Sequence, residues 1–170
     1  MTPNGVLDEV RSVFAAASEL PARLAALLLA PRILLYGQGR TGLCMRALTM
    51  RLAQLGRDAH WLADTAPPPL RPGDLFLANA ARGDLPSAVA LLARARALGV
   101  RTAVITAAET GPALEWADEV LRLPGQTWTG LSSLPLGGQL WLLGDLAVDI
   151  LMSRLGLGAD RLAAGHVNLG

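Results

Sequence analysis

The segment 36–42 carries the residue types and the spacing most suited to chemistry in this chain. It reads Tyr-Gly-Gln-Gly-Arg-Thr-Gly and follows a short apolar run that begins at Arg32. Glycines allow the backbone to turn sharply and to approach a ligand closely. Where such a turn opens a helix, the first backbone N–H groups and the helix dipole favour an anion. We therefore predict a phosphate-binding turn formed by Gly37, Gln38, Gly39, Arg40 and Thr41.

Two other interpretations of these glycines remain open at this point. The third glycine, Gly42, comes one residue too early for a G-x-G-x-x-G dinucleotide loop. Asp64 nevertheless lies close to where an acidic residue would bind a ribose, so a small nucleotide-binding oxidoreductase stays an alternative. A tight turn that binds nothing is equally compatible with the glycines alone.

Composition excludes several classes of function. All 15 basic residues are arginines, so no Schiff-base lysine and no Walker-type phosphate lysine can form. The net charge of +1 gives no broad field to attract nucleic acid, and the single cysteine, Cys44, excludes a multi-cysteine metal site. We see no apolar run near the roughly 18–20 residues of a membrane span. Acidic residues precede the first apolar segment, unlike a signal peptide, so we expect a soluble, cytoplasmic protein without membrane partners.

Strands that alternate with helices are predicted to position the turn. The apolar runs predict five strands, at 32–36, 59–63, 74–78, 101–106 and 119–123. Helical spacing predicts intervening helices at 41–55, 86–98 and 109–116. The predicted organisation is one domain, 1–170, with N-terminal helices at 4–30 broken near Pro21, an α/β core at 32–124, and a C-terminal helix at 135–156 followed by a tail. This order indicates a three-layer α/β/α sandwich with a five-stranded parallel sheet, flavodoxin-like or Rossmann-like, whose ligand binds beyond the carboxyl ends of the strands.

Short motifs along the whole chain carry a resemblance to a known family. The segment 37–43 reads G-Q-G-R-T-G-L and continues through M-R-L at 50–52 and L-G at 55–56. The segments 73–75, 103–106, 114–118 and 165–169 add further matches in the same order. Together they resemble the 6-phospho-3-hexuloisomerases, whose pattern is G-x-G-R-S-G-L followed by M-R-L-x-x-L-G, and thus a sugar-isomerase (SIS) domain.

That resemblance implies a fold, an activity and an assembly. The family interconverts D-arabino-hex-3-ulose 6-phosphate and fructose 6-phosphate through an enediol, without a metal or an organic cofactor. The resemblance implies a phosphosugar ligand and a homo-oligomer, a dimer or a tetramer, whose active sites are shared between subunits. It also implies that Arg51, in the M-R-L segment, contributes charge to the site.

The second phosphate loop departs from the family. Where the family has S-G-S-G-E-T, residues 80–85 read Ala-Ala-Arg-Gly-Asp-Leu, so three hydroxyls are lost. Each charge-assisted hydrogen bond to phosphate is worth about 1.5–3 kcal/mol. Arg82 could compensate as a bidentate clamp, and Asn79 at the start of this loop is a further candidate for phosphate or sugar binding.

The expected proton-transfer group departs as well. An ungapped alignment places Trp141 where the family has a glutamate, and tryptophan cannot abstract a proton. Asp145 lies one helical turn later on nearly the same face, and His166 matches a family histidine. We predict His166 as the acid/base group, contributed by its own or by a neighbouring chain, and Asp145 as a second candidate. The loss of the glutamate leaves a non-catalytic sugar-phosphate-binding protein as the principal alternative.

Overall fold

The computed structural model describes residues 2–125 and 136–166. Parts of the predicted loop after the fifth strand and of the C-terminal motif, 126–135 and 167–170, lie outside the described residues. The helices are α1 Pro3–Ala16, α2 Leu20–Leu27, α3 Gly39–Gln54, α4 Pro86–Ala97, α5 Pro112–Glu115, α6 Leu136–Leu155 and α7 Ala159–Ala164. The strands are β1 Arg32–Tyr36, β2 Asp58–Trp61, β3 Leu75–Asn79, β4 Arg101–Thr106 and β5 Glu119–Arg122.

The five strands form one parallel sheet in the order β2-β1-β3-β4-β5. This confirms the predicted five-stranded parallel sheet. The chain leaves β1 towards β2 on one side, while β3 lies against the other side of β1, so the switch point falls between β1 and β3. Ligands of such sheets bind in the crevice beyond the carboxyl ends of these two strands. The predicted phosphate turn follows β1 and therefore lies at this crevice.

Two apolar layers enclose the sheet and confirm the predicted sandwich. On one face, α2, α3 and α6 pack over a cluster that includes Leu35, Leu77 and Ile105. On the other face, α4 packs over a cluster that includes Phe76 and Val104. Strand side chains alternate between faces, and both faces are buried, which accounts for the continuous apolar runs in the sequence.

The first two helices differ slightly from their predicted division. Thr2 caps α1, because its hydroxyl accepts a hydrogen bond from the Gly5 N–H at 3.2 Å. Pro21 does not break a helix but stands in the first turn of α2, where a missing N–H costs nothing. The break lies between Ala16 and Leu20 instead. A short helix, α7, also forms within the predicted tail.

Helix α6 spans 20 residues and is apolar enough, by length and composition, to cross a membrane. From the sequence alone we expect no segment long and apolar enough to cross a membrane. Its most apolar window has a mean hydropathy of 1.2, and 56% of that window is buried inside the protein. Leu140, Leu143, Ala147 and Leu151 are buried in the layer shared with α2 and α3. The apolar character of α6 is therefore that of a core helix.

Candidate functional site

Three glycines shape the turn between β1 and α3. Gly39 has φ +58°, in the left-handed region that favours glycine. Gly37 and Gly42 pack backbone against backbone: a Cβ on Gly42 would lie 2.7 Å from the Gly37 carbonyl oxygen. A Cβ on Gly37 would lie 3.0 Å from the Gly42 Cα. The spacing of Gly37 and Gly42 thus allows two backbone segments to cross in direct contact. A side chain at either position would collide with the other segment.

The turn presents the first amides of α3. Gln38 is the N-cap, with extended backbone and no capping bond from its side chain. The Gln38 carbonyl accepts the Gly42 N–H at 2.9 Å and the Thr41 hydroxyl at 3.1 Å. Within residues 2–125 and 136–166 we find no hydrogen bond to the N–H groups of residues 39–41. These amides, at the positive end of a 16-residue helix, form an anion-binding concavity.

The Gln38 side chain joins the first turn to the start of α4. Its Nε2 donates to the Tyr36 hydroxyl at 2.8 Å and to the Ser87 Oγ at 3.1 Å. Tyr36 ends β1, and Ser87 lies in the first turn of α4. Sequence reasoning missed both hydroxyl-bearing residues. Pro86 is a residue type typical of a helix start. Ser87, which directly follows it, could therefore have been predicted to lie at the end of α4 that faces the site.

Asn79 ends β3, next to the switch point. The residue is 1% exposed, and its Nδ2 donates to the Ile105 carbonyl at 3.0 Å. Its Oδ1 is buried and has no hydrogen-bond partner in the described part of the chain. A buried amide oxygen without a donor costs about 1–3 kcal/mol. A ligand hydroxyl or a water molecule would satisfy it.

Backbone hydrogen bonds hold the loop after β3 in place. The N–H of Gly83 donates to the Ala80 carbonyl at 2.8 Å, and the Gly83 carbonyl accepts the Ala113 N–H at 2.9 Å. A Cβ on Gly111 would lie 2.7 Å from the Gly83 carbonyl oxygen, so the two loops cross closely at these glycines. Gly83 and Gly111 both have positive φ, 74° and 149°. These backbone contacts fix the path of the loop near Gly83.

Arg82 extends from that loop and is engaged by a carboxylate. Its Nε and Nη2 lie 3.3 and 3.0 Å from the two Asp84 oxygens, a fork-like pairing of two exposed side chains. Arg40, at the start of α3, is exposed and packs beside Gly137 of α6. The two arginines thus flank the switch point from opposite sides.

A groove between α3 and α6 holds two of the other predicted residues. Arg51 Nη1 lies 3.5 Å from Asp145 Oδ1, and the Arg51 Nε is buried without a partner in the described residues. Trp141 lines the same groove, which has a cavity volume of about 120 Å³. Arg51 comes 12 residues after Gly39, which is about 18 Å along the helix. Within one chain, Arg51 and Asp145 are therefore separate from the phosphate turn.

Cys44, the only cysteine of the chain, lies in this groove at the end nearer the start of α3. The Cys44 Sγ lies 3.3 Å from the Arg40 carbonyl and 3.1 Å from the Gly137 carbonyl. Burial raises the pKa of the Cys44 thiol, against the opposing charge of Arg40. The protonated thiol is a weak donor that ties α3 to α6.

His166 lies at the opposite end of α3 from the turn. Its Nδ1 is 3.2 Å from the Nε2 of Gln54, the last residue of α3. Gln54 comes 15 residues after Gly39, or about 22 Å along the axis. The other histidine, His60, pairs with Asp58 at 2.6 Å near the amino-terminal edge of the sheet, away from the switch point. One chain by itself therefore does not bring an imidazole to the turn.

No cluster of three or more His, Cys, Asp or Glu side chains that could hold a metal ion occurs in residues 2–125 and 136–166. The groups that converge at the switch point are backbone amides, a threonine hydroxyl, a glutamine, an asparagine and arginines. Such groups bind anions and hydroxyls.

Comparison with known proteins agrees with this ligand chemistry. No protein-family model matches the chain. The chain is 29% identical over 147 residues to the 3-hexulose-6-phosphate isomerase of Bacillus subtilis, covering 81% of this chain and 80% of that protein. It is 30% identical over 156 residues to an uncharacterized protein of Aeropyrum pernix, covering 81% and 74% of the two chains.

Solved structures share the fold at lower identity. A Methanococcus jannaschii protein, for which a 3-hexulose-6-phosphate isomerase function was inferred from its crystal structure, gives a TM-score of 0.83 at 21% identity over 96% of this chain and 98% of that chain. An Escherichia coli protein in complex with a phosphosugar ligand gives 0.79 at 17% identity, over 96% and 93%. The Vibrio vulnificus NanR protein, complexed with ManNAc-6P, gives 0.75 at 20% identity over 94% of this chain and 64% of that chain.

The parallel sheet and the glycine turn at its switch point define a doubly wound α/β domain. The chain belongs to the sugar-isomerase (SIS) domain family. Its relatives of known name within that family are 3-hexulose-6-phosphate isomerases.

Proposed function

We propose that this chain is a cytoplasmic phosphosugar isomerase of the 3-hexulose-6-phosphate type, and that it works as a homo-oligomer without a metal or an organic cofactor. The observation that carries the proposal is the set of amides at the start of α3, at the switch point of the sheet, that have no hydrogen-bond partner among the described residues. The named relatives support a hexulose phosphate as the substrate. The N–H groups of residues 39–41 bind the phosphate, and the Thr41 hydroxyl joins them by turning its proton from the Gln38 carbonyl to a phosphate oxygen. Arg40 and Arg82 supply charge.

The reaction moves a carbonyl from C3 to C2 of the sugar. A base removes the proton on C2, and the electron pair of that C–H bond forms the C2–C3 double bond of an enediolate. Protonation of C3, with transfer of the proton from the C2 hydroxyl to the C3 oxygen, gives the 2-ketose, so no external oxidant or reductant is required. The phosphate anchor orients the reacting carbons, and Asn79 Oδ1 accepts a hydrogen bond from a sugar hydroxyl.

His166 supplies the acid/base group in this proposal, and it comes from a neighbouring chain. Histidine is the side chain that most often acts as a general acid or base in enzymes. The distance of about 22 Å between the two ends of α3 supports a shared site rather than one within a single chain. Arg51 and Asp145 lie about 18 Å along α3 from the turn of their own chain, so any charge they contribute goes to a site completed by a neighbouring chain.

Turnover distinguishes this proposal from its principal alternative. Purified protein is mixed with D-arabino-hex-3-ulose 6-phosphate, and fructose 6-phosphate is measured by a coupled assay. We expect conversion, together with thermal stabilisation by the sugar phosphate. No turnover with hexulose or pentose phosphates would contradict the isomerase function.

A specific observation favours the alternative, a protein that binds a sugar phosphate without converting it. In the resemblance described above, Trp141 aligns with the family glutamate, and its exposed indole beside Arg51 and Asp145 cannot take a proton. Stabilisation by the sugar phosphate without turnover would establish this function. If neither effect occurs, both functions are wrong and only the fold remains.

The pairing of Arg82 with Asp84 leads to a prediction on affinity. A bound phosphate competes with the Asp84 carboxylate for Arg82 and is repelled by it. Exposed pairs of this kind are worth about 0.2–1 kcal/mol. Asp84→Asn should therefore tighten sugar-phosphate binding up to about five-fold in titration calorimetry at low salt, with a smaller gain at high salt.

The matched control is Asp8→Asn, which breaks an exposed Arg–Asp pair on α1, away from the turn. It should leave the affinity unchanged. If Asp84→Asn weakens binding, Asp84 holds Arg82 in place for the ligand and the competition argument fails.

A further inference from the structure

A hydrogen-bonded bridge of side chains crosses the crevice at the switch point. The Gln38 Nε2 donates to the Tyr36 hydroxyl at 2.8 Å and to the Ser87 Oγ at 3.1 Å. Tyr36 ends β1, and Ser87 lies in the first turn of α4, so the bridge joins the two sides of the crevice. Neither hydroxyl has a role in the function proposed above.

The direction of these bonds leaves both hydroxyl protons free to donate. The nitrogen of an amide side chain has two protons and donates only, so each hydroxyl oxygen accepts one of them. A hydroxyl that accepts in this way still carries its own proton. Within the described residues we find no acceptor for the proton of Ser87 or of Tyr36. Both hydroxyls can therefore donate to an oxygen of a ligand.

The start of α4 has no cap from its own side chains. Its N-cap residue is Leu85, whose side chain makes no capping bond, at a position where Ser, Thr, Asp or Asn is usual. The N–H groups of Ser87 and Ala88 have no hydrogen-bond partner in the part of the chain that the structure describes. The dipole of this 12-residue helix therefore favours an anion on the side of the Ser87 hydroxyl.

A second, independent feature points to a ligand in the crevice. Asn79 follows Ala78, the register partner of Tyr36, so it lies at the edge of the sheet where the crevice begins. Asn79 is 1% exposed, and its Oδ1 has no hydrogen-bond partner in residues 2–125 and 136–166. Because buried polar atoms are almost always hydrogen-bonded, this oxygen indicates that a donor from outside the protein enters the crevice.

The distances allow one phosphate to contact both helices. A glutamine side chain reaches about 5 Å from its Cα, so the Ser87 Oγ, 3.1 Å beyond the Gln38 Nε2, lies within about 8 Å of the Gln38 Cα. The N–H groups of residues 39–41 begin one residue later. Phosphate oxygens about 2.5 Å apart, each with a hydrogen bond of about 2.8 Å, bridge donors that are up to about 8 Å apart.

We propose that Ser87 binds the phosphate of the sugar ligand from the side of α4, and that Gln38 is a positioning residue that orients the Ser87 hydroxyl. Tyr36 holds the Gln38 amide, and the phenol ring of Tyr36 stacks on Trp61 with the ring centroids 6.3 Å apart. Ser87 thus supplies a hydroxyl beside a loop, 80–85, that contains none. This inference rests on the proposed function, because it adds a ligand to the phosphate of the same site.

Titration calorimetry with fructose 6-phosphate tests the contact. Ser87→Ala removes the hydroxyl at a helical position that suits alanine, so the variant should stay folded and should bind about 10- to 100-fold more weakly. Ser87→Thr keeps a hydroxyl and should largely restore binding. Ser12→Ala is the matched control, because Ser12 is an exposed helical serine on α1, and it should leave the affinity unchanged.

Two ligands distinguish a contact with the phosphate from a contact with the sugar. Inorganic phosphate, measured by competition with fructose 6-phosphate, should lose affinity for Ser87→Ala by the same factor as the sugar phosphate. In turnover, the loss of a contact that is kept throughout the reaction should raise KM more than it lowers kcat. A loss confined to fructose 6-phosphate would mean that Ser87 contacts the sugar, and the inference would be wrong.

A double-mutant cycle tests the positioning role of Gln38. Gln38→Met keeps the length of the side chain but removes both donated bonds, so it should weaken binding several-fold in the wild-type background. In the Ser87→Ala background the same substitution should have no further effect, because no hydroxyl is left to orient. An equal loss in both backgrounds would show that Gln38 acts independently of Ser87 and would contradict the positioning role.

The outcomes separate this inference from the proposed function. If the wild type binds fructose 6-phosphate and Ser87→Ala binds it equally well, the inference is wrong and the proposed function stands. A wild type that binds neither fructose 6-phosphate nor inorganic phosphate overturns both. Weakened binding of both ligands by Ser87→Ala, with turnover retained at high substrate concentration, supports both.

Discussion

Gly42→Ala should abolish sugar-phosphate binding. The added methyl carbon would lie 2.7 Å from the Gly37 carbonyl oxygen and 2.8 Å from its carbonyl carbon, and backbone atoms cannot rotate away. The turn must open, which moves the amides of residues 39–41 off the phosphate. Overpacking of this kind also lowers the free energy of unfolding by about 1–3 kcal/mol.

Thermal unfolding with and without ligand measures the effect. At 100 times Kd, a ligand stabilises the wild type by about 2.7 kcal/mol, which is about 5–10 °C for a chain of this size. The variant should show less than about 1 °C of this shift. Gly144→Ala is the control, because its methyl group would lie at an ordinary 3.7 Å from Leu48. A Gly42→Ala variant with the full ligand shift would contradict the role of the turn.

Two inactive variants should restore activity when mixed. His166→Ala removes the acid/base group and should lower kcat about 10²- to 10⁴-fold. Thr41→Glu places a negative charge where the phosphate binds, yet an acid in the first turn of α3 favours the helix itself. A site built from two chains contains the turn of one copy and the histidine of the other.

The expected recovery follows from counting sites. In an equal mixture of the two variants, half of the dimers contain one chain of each kind, and each of these has one intact site of two. Activity should therefore return to about a quarter of the wild-type value after co-refolding. Each variant refolded alone is the control. No recovery, with the mixed dimers shown to form, would mean that the histidine does not act across the interface.

The sheet could be predicted closely because its signal is local. Buried parallel strands give short apolar runs, and glycines mark their ends, so β1, β4 and β5 were predicted within one residue. The predicted third strand ends at residue 78, but the Asn79 backbone also pairs with Ile105 of β4, in a residue type that is uncommon in strands. The sequence alone predicts a helix break near Pro21, whereas a proline in a first turn is tolerated.

The candidate site could be predicted only in part. The turn is encoded locally by its three glycines. The bond from Gln38 to Ser87 joins residues 49 positions apart, and the docking of His166 on Gln54 joins residues 112 apart. Such contacts depend on how the helices pack, which residue spacing does not encode. The sequence therefore identified the histidine without placing it at one end of α3.

The close crossing of Gly83 and Gly111 has a consequence for how specificity can diverge in this protein. Main-chain bonds hold the loop after β3, so its exposed side chains can be exchanged without redrawing its path. Substitutions at Arg82 and Asp84, which are both exposed, therefore alter the chemistry presented to a ligand at little cost in folding. Single substitutions in this loop could therefore change which phosphorylated sugar the protein binds while the fold stays the same.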